Sequence, residues 1–232
     1  MENKAIPEKL TNLVIVPGHA VYVGSCRNDP YDADKWVGTY AGYKYNDEVP
    51  NYVQHIQRGV NLADCDKRAL LVFSGGKTRK QTTKSEAESY VSVAENLAWF
   101  GASSAKDVTR LEEFATDSFE NLLFSIQLFQ MLHTKHIFPQ KVTVVGLRFK
   151  EERYQLHADV IISTGHKGIE PFIFRYDDVN DIPDYVLKAG SGEGEELTRR
   201  QFQFWPFGDG GPLQKKREVR DPHGWYDKKP YK

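Results

Sequence analysis

The chain lacks most of the features that classify a protein at sight. Its only cysteines are Cys26 and Cys65. Two are too few for the disulfide framework of a small secreted domain, and they do not sit at metal-type or redox-type spacing. The expectation is two ordinary thiols in a reducing compartment. No apolar run approaches the ~20 residues needed to span a bilayer. Net charge is −1, so no global field draws the chain to nucleic acid or to an anionic membrane. There is no H-E-x-x-H, no G-x-S-x-G elbow and no acidic cluster suited to a metal, which removes common hydrolase signatures. Residues 1 to 8 carry acids and no apolar core, so neither a signal peptide nor a mitochondrial leader is expected. The expected location is the cytoplasm, with the nucleus as an addition.

What is present is ordinary globular composition, 40% hydrophobic and 27% charged over 232 residues. A chain of this length buries roughly 70% of its unfolded surface and needs no staples. Three short apolar runs end at glycine turns: Leu13-Val14-Ile15-Val16 at Pro17-Gly18, Ala69-Leu70-Leu71-Val72-Phe73 at Ser74-Gly75-Gly76, and Val142-Thr143-Val144-Val145 at Gly146. Their length and branching suit strands buried on both faces. Helical patterns lie between them, which predicts an α/β fold with a mostly parallel sheet and crossover helices.

The helices are readable from period and caps. Val49, Val53, Ile56 and Val60 line one face of a helix over 47–63. Ser85 with Glu88 forms a capping-box pattern for a second, with Gly101 as its stop. Asp117 or Ser118 caps a third that ends near His133, and a fourth runs from about Phe149 to Val160. Residues 171–176 read as a further strand, at an edge. Two stretches fall outside this repeat. Residues 24–46 are rich in Tyr, Asp and Gly and follow the first strand, where a long loop can cover a site. Residues 189–232 begin with a Gly-rich linker and continue with Phe202, Phe204, Trp205 and Phe207, which predicts an extension packed on the domain of residues 1–188. From Lys215 onward seven Lys/Arg face three Asp/Glu, a local charge of +4. Such a tail is either a solvated segment or a basic cover for an anionic ligand.

In an open parallel sheet, ligands bind beyond the carboxyl ends of the strands. That places Gly18 and His19, then Ser74, Gly75 and Gly76 with Lys77, Thr78 and Arg79, then Arg148, Lys150 and Arg153 at the candidate site. A small hydroxyl, exposed backbone N–H groups and positive charge suit a phosphate or carboxylate, although a Gly-Gly pair also serves as a plain tight turn. Arginine can hold an oxyanion in two places at once. Thr116 to Asn121 forms a polar helix start. Capping accounts for Asp117 and Ser118 but leaves Glu120 and Asn121 without a reason to be there. His19 is open to a site role or a loop role. His157 can equally be packing, and His133 and His136 suit a helix C-terminus.

Read together, these segments resemble the YdcF/SanA/ElyC-like family. The matching pieces are Pro17-Gly18-His19-Ala20, Leu71 to Gly76, Ser85-Glu86-Ala87, Ala115 to Ser125, and Val142 to Gly146 followed by Phe149 to Arg153. They cover about residues 12–165. The tail, with Asp209-Gly210-Gly211 and Lys215 to Pro222, is similar to the eukaryotic, especially fungal, branch. Two departures are visible: the glycine-rich first loop of bacterial members is here Pro-Gly-His-Ala, and a histidine they often carry three residues before the arginine is Lys150.

The resemblance implies a Rossmann-like three-layer sandwich with polar residues gathered around one pocket. It implies no established reaction. S-adenosylmethionine binding has been suggested for one branch, and the envelope role of bacterial relatives does not carry over. The expectation is an enzyme binding a small anionic, phosphorylated or nucleotide-like metabolite, with no nucleic-acid or membrane partner. His19, Glu86 and Glu120 are its acid/base candidates. Gly18, Ser74, Gly75, Gly76, Ser118, Asn121, Arg148, Lys150 and Arg153 are its ligand-binding candidates, and no metal ligand is expected. The alternatives are a non-catalytic domain binding S-adenosylmethionine or a nucleotide, and a partner-binding protein using the 24–46 loop and the tail.

Overall fold

A computed structural model describes residues 6–27, 29–38, 48–133, 137–179 and 193–231. Five strands form the main sheet: β1 (Asn12–Pro17), β4 (Ala69–Ser74), β5 (Thr109–Glu112), β6 (Lys141–Gly146) and β7 (Ile173–Asp178). They run in the order β5-β4-β1-β6-β7, and every neighbouring pair is parallel. A short antiparallel pair, β2 (Val21–Tyr22) and β3 (Trp36–Val37), stands apart from it.

The apolar runs are continuous because both faces of β1 and β4 are covered. Leu13, Ile15, Leu70 and Val72 pack toward α3 (Ser118–Leu132) and α4 (Glu151–Thr164). The alternate residues Val14, Val16, Leu71 and Phe73 pack toward α1 (Val49–Cys65) and α2 (Glu86–Asn96). The result is an α/β three-layer fold of Rossmann-like form. Among the described residues no helix is long and apolar enough to cross a membrane.

Local chemistry starts the helices at their expected places. Ser85 Oγ accepts from Glu88 N at 2.8 Å, and Asp117 Oδ1 accepts from Glu120 N at 2.9 Å. Asp117, not Ser118, is therefore the cap of α3. The expected stop of α2 at Gly101 comes early. The helix ends at Asn96, and Ala98, Trp99 and Phe100 all take positive φ, with Trp99 buried. Strand β5 was not legible as an apolar run, because Arg110 and Glu112 interrupt its four residues. Strand β7 occupies the opposite edge. The start of the expected 47–63 helix, most of the aromatic 24–46 loop beyond Gly38, His136 and the 189–192 linker lie outside the described residues. His133 closes α3, its ring nitrogens 2.9 and 2.8 Å from the carbonyls of Phe129 and Leu10.

The C-terminal segment forms α5 (Glu193–Phe204) and α6 (Gly211–Val219). Phe202, Leu213 and Tyr231 are buried in the same apolar cluster as α3. Trp225 stacks on Phe114 with ring centroids 5.6 Å apart. The sheet order reverses at β1: the chain moves outward to β4 and β5, then crosses to β6 and β7. The crevice between the carboxyl ends of β1 and β6 is the position such folds use for ligands.

Candidate functional site

A cavity of about 270 Å³ opens at that switch point. The end of β1 contributes Gly18 and His19; Arg79 and Glu86 come from the connection after β4 and the start of α2. The loop before α3 and its first turn contribute Thr116, Asp117, Ser118 and Asn121. Lys150, Arg153 and Tyr154 line it from the start of α4, and Phe202, Lys216 and Arg220 from the C-terminal segment. Seven of the twelve residues expected at the site therefore border one cavity: Gly18, His19, Glu86, Ser118, Asn121, Lys150 and Arg153.

The other five do not, for separate physical reasons. Ser74 is fully buried beneath the floor, donating to Glu112 Oε2 at 2.6 Å. The N–H groups of Gly75 and Gly76 are already used, donating to the carbonyls of Glu112 and Ala115 at 2.9 and 2.8 Å. The turn is therefore a structural joint and not an oxyanion cradle. Its carbonyls in turn accept from Glu86 and Ala87, which docks the first turn of α2 against the strand end. Gly18 is closed in the same way, its N–H bonding Ser74 O at 2.7 Å, and a Cβ there would collide with the Cβ of Glu86. Arg148 points away from the cavity and pairs with Asp178 at 2.5 Å on the exposed surface. Glu120 faces a second cavity under α6, where its carboxylate accepts from Thr116 N, Thr116 Oγ1 and Tyr226 OH at 2.8, 2.6 and 2.6 Å.

Within the cavity the two carboxylates are engaged. Glu86 accepts from Thr78 Oγ1 at 2.5 Å and lies 3.8 Å from Arg79. Asp117 Oδ2 accepts from Arg217 Nε at 2.6 Å. Ser118 Oγ is 2.8 Å from Nε2 of the buried His157. Asn121 Oδ1 is 3.3 Å from Ser74 Oγ, linking the lining to the floor. Arg79 Nη2 donates to the carbonyl of His19 at 2.9 Å.

The cations are less evenly matched. Arg153 pairs with Glu195 of α5 at 3.0 Å. Lys150 Nζ instead meets Nδ1 of His19 at 3.2 Å, with no carboxylate at ion-pair distance among the described residues. The ammonium of half-buried Lys216 likewise makes no hydrogen bond or ion pair among them. Burial and the guanidinium of Arg153 bring Lys150 down to about 7. Burial, Arg220 and Arg153 bring Lys216 down to about 8. Burial, followed by Lys150 and His55, holds His19 well below the usual imidazole range. A cavity that depresses its own ammonium groups favours occupation by an anion, which would relieve their repulsion.

Sequence reasoning left Lys216 and Arg220 undecided inside a +4 tail and missed Tyr154 and Phe202 as lining. The tail's charge was the available signal for the first two. Nothing in the sequence distinguished the second two from core residues. Among the described residues, no group of acidic, histidine and cysteine side chains is arranged to hold a metal ion.

No family model matches the chain. It is similar to "Uncharacterized protein YOR238W" of Saccharomyces cerevisiae, 27% identical over 198 residues. The match takes in 66% of this chain and 64% of the yeast protein, so the chain spans less than two thirds of that relative's length. No solved structure matches it.

Proposed function

We propose that the chain is an enzyme of the YdcF/SanA/ElyC-like type that binds a small anionic metabolite, phosphorylated or nucleotide-like, in the switch-point cavity. One observation carries this reading: Lys150, Arg153, Lys216 and Arg220 converge on a single cavity, and among the described residues neither lysine has a carboxylate at ion-pair distance. Two of these cations come from the start of α4 and two from the C-terminal segment, so their grouping serves no single helix. Charge-assisted bonds to an oxyanion would satisfy them. His19 is the acid/base candidate best placed beside the ligand, since Glu86 and Asp117 already carry partners. A cytoplasmic or nuclear location belongs to the same proposal.

The test is thermal-shift and calorimetric titration with inorganic phosphate, pyrophosphate, ATP and S-adenosylmethionine, using wild type and Arg153→Ala. Binding by wild type that is lost in a folded Arg153→Ala protein supports the assignment; unchanged binding overturns it.

The engagement of both cavity carboxylates favours a second reading, a non-catalytic domain that holds a nucleotide or S-adenosylmethionine for regulation. Product analysis of any ligand that binds separates the two: chemical turnover favours the enzyme, and recovery unaltered favours the regulatory domain.

A further inference from the structure

We propose that Lys150 is a nucleophilic amine that forms an imine with the carbonyl carbon of a phosphorylated aldehyde or ketone. This rests on the anion-binding reading of the cavity and goes beyond it by assigning the reacting atom.

The geometry around Nζ carries the inference. Lys150 is 8% exposed and lines the cavity, so its amine is desolvated yet reachable by a ligand. Its polar contact is Nδ1 of His19 at 3.2 Å, which accepts in the tautomer the proposal requires. With Nδ1 accepting, the imidazole carries its proton on Nε2, which is buried and meets no partner among the described residues. His55 of α1 packs edge-on to His19 with centroids 5.3 Å apart, and both its ring nitrogens are also unpartnered there. Uncharged rings therefore face the amine from β1 and α1. Arg153 faces it from α4, and Lys216 and Arg220 from α6 and the residue after it. Among the described residues the acid that acts most strongly on the amine is Glu195 of α5, already paired with Arg153. A lysine that is desolvated and set beside other cations is the arrangement that keeps an amine neutral near pH 7, and a neutral amine attacks carbonyls. The same cations would hold a phosphate a few ångströms from that amine, orienting the carbonyl for attack.

The step balances. The nitrogen lone pair attacks the carbonyl carbon, a C–N bond forms, and the C=O π pair moves to oxygen. The nitrogen then passes a proton to His19 Nδ1 while the alkoxide takes one from solvent. The imidazolium returns its proton to the resulting carbinolamine hydroxyl as water leaves and the nitrogen lone pair closes the C=N bond. Amine, carbonyl and one proton give a protonated imine and one water. No oxidant or reductant is consumed.

Dihydroxyacetone phosphate with sodium borohydride is the probe, because a ketone traps poorly on exposed lysines. Intact mass and peptide mapping should show one adduct at Lys150. Its rate should rise with pH through a midpoint above the ligand-free value of about 7, because the bound phosphate favours the charged amine. It should fall with added sulfate, and drop at least tenfold with unphosphorylated dihydroxyacetone. Lys150→Arg should show no adduct at that peptide. His19→Asn should slow adduct formation and move the pH midpoint. An adduct that persists in Lys150→Arg, or no adduct from wild type, overturns the proposal. Sulfate thermal shift on the same proteins separates the two readings. Sulfate binding without the adduct rejects only the imine, whereas loss of both rejects the anion site as well.

Discussion

Nε of Arg217 lies 2.6 Å from Oδ2 of Asp117, tying the C-terminal helix to the cap of α3 across 100 positions of chain. The same guanidinium is 3.3 Å from Glu120 Oε1 and donates to Phe207 O at 2.8 Å. Both carboxylates are buried, and burial pushes the Glu120 carboxyl up, with Asp117 adding to it. Arg217 therefore compensates two acids that would otherwise repel. It also sets the position of its neighbour Lys216 over the cavity.

Replacing Arg217 with Met should leave both acids uncompensated. Loss of one member of a buried pair costs about 3–5 kcal/mol, and urea unfolding should show a decrease in that range. Arg217→Lys should retain part of the stability. A change below about 1 kcal/mol would mean that aromatic packing of the tail, and not this pair, holds it in place.

Anion affinity should depend on pH through the two lysines. Lys150 at about 7 and Lys216 at about 8 are partly deprotonated at neutral pH, while a bound dianion favours their charged forms. Binding should therefore take up protons, and affinity should fall as pH rises through 7 to 8 and beyond. Sulfate is the useful probe because it remains dianionic throughout. Calorimetry in buffers of different ionisation enthalpy measures the uptake directly, and a pH-independent affinity would exclude this coupling.

Without a ligand the same shifts act on stability in the opposite direction. Both lysines lie below their unfolded value of 10.5, so between about 7 and 10.5 the unfolded chain binds more protons. Their contribution to stability rises with pH across that window and is lost as pH falls through it. Lys150→Met should flatten this part of a urea-midpoint profile against pH; an unchanged slope would contradict the low lysine pKa.

Lys216→Met should weaken sulfate binding with little effect on folding, since the ammonium has no partner among the described residues. A charge-assisted bond is worth about 1.5–3 kcal/mol, so a loss of roughly ten- to a hundredfold is expected from titration. Equal affinity would remove Lys216 from the site.

Gly76→Ala tests the joint. A Cβ there would lie 2.9 Å from the backbone carbonyl oxygen of Ala115, which cannot swing aside as a side chain can. The expected cost is about 1–3 kcal/mol, read as a lower thermal midpoint. An unchanged midpoint would show that the loop before α3 can yield.

Much of the framework was legible because its causes are local. Apolar runs stopped by glycine marked β1, β4 and β6, and the cap residues Ser85 and Asp117 marked the starts of α2 and α3. β5 escaped because its burial comes from an edge position beside β4, and not from an apolar composition of its own. At the site, proximity to strand ends brought forward His19, Lys150 and Arg153, and the family resemblance Glu86, and all four line the cavity. The same criterion overreached at Arg148 and at the glycine turn.

The order of residues along this chain determined that a parallel sheet would form and that basic and polar groups would gather at its carboxyl edge. Period, caps and turns act within a few residues, so they can be read without coordinates. Only the tertiary structure decided which of those groups border the cavity. The Gly75 and Gly76 N–H groups are taken by Glu112 and Ala115, residues 37 and 39 positions further along. Arg148 is drawn to Asp178 on the edge strand, 30 positions away. Lys216 and Arg220 reach the cavity because Phe202, Leu213 and Tyr231 find their burial against the α3 layer. Each of these outcomes depends on a partner distant in sequence, and such a partner becomes a neighbour only when the layers close.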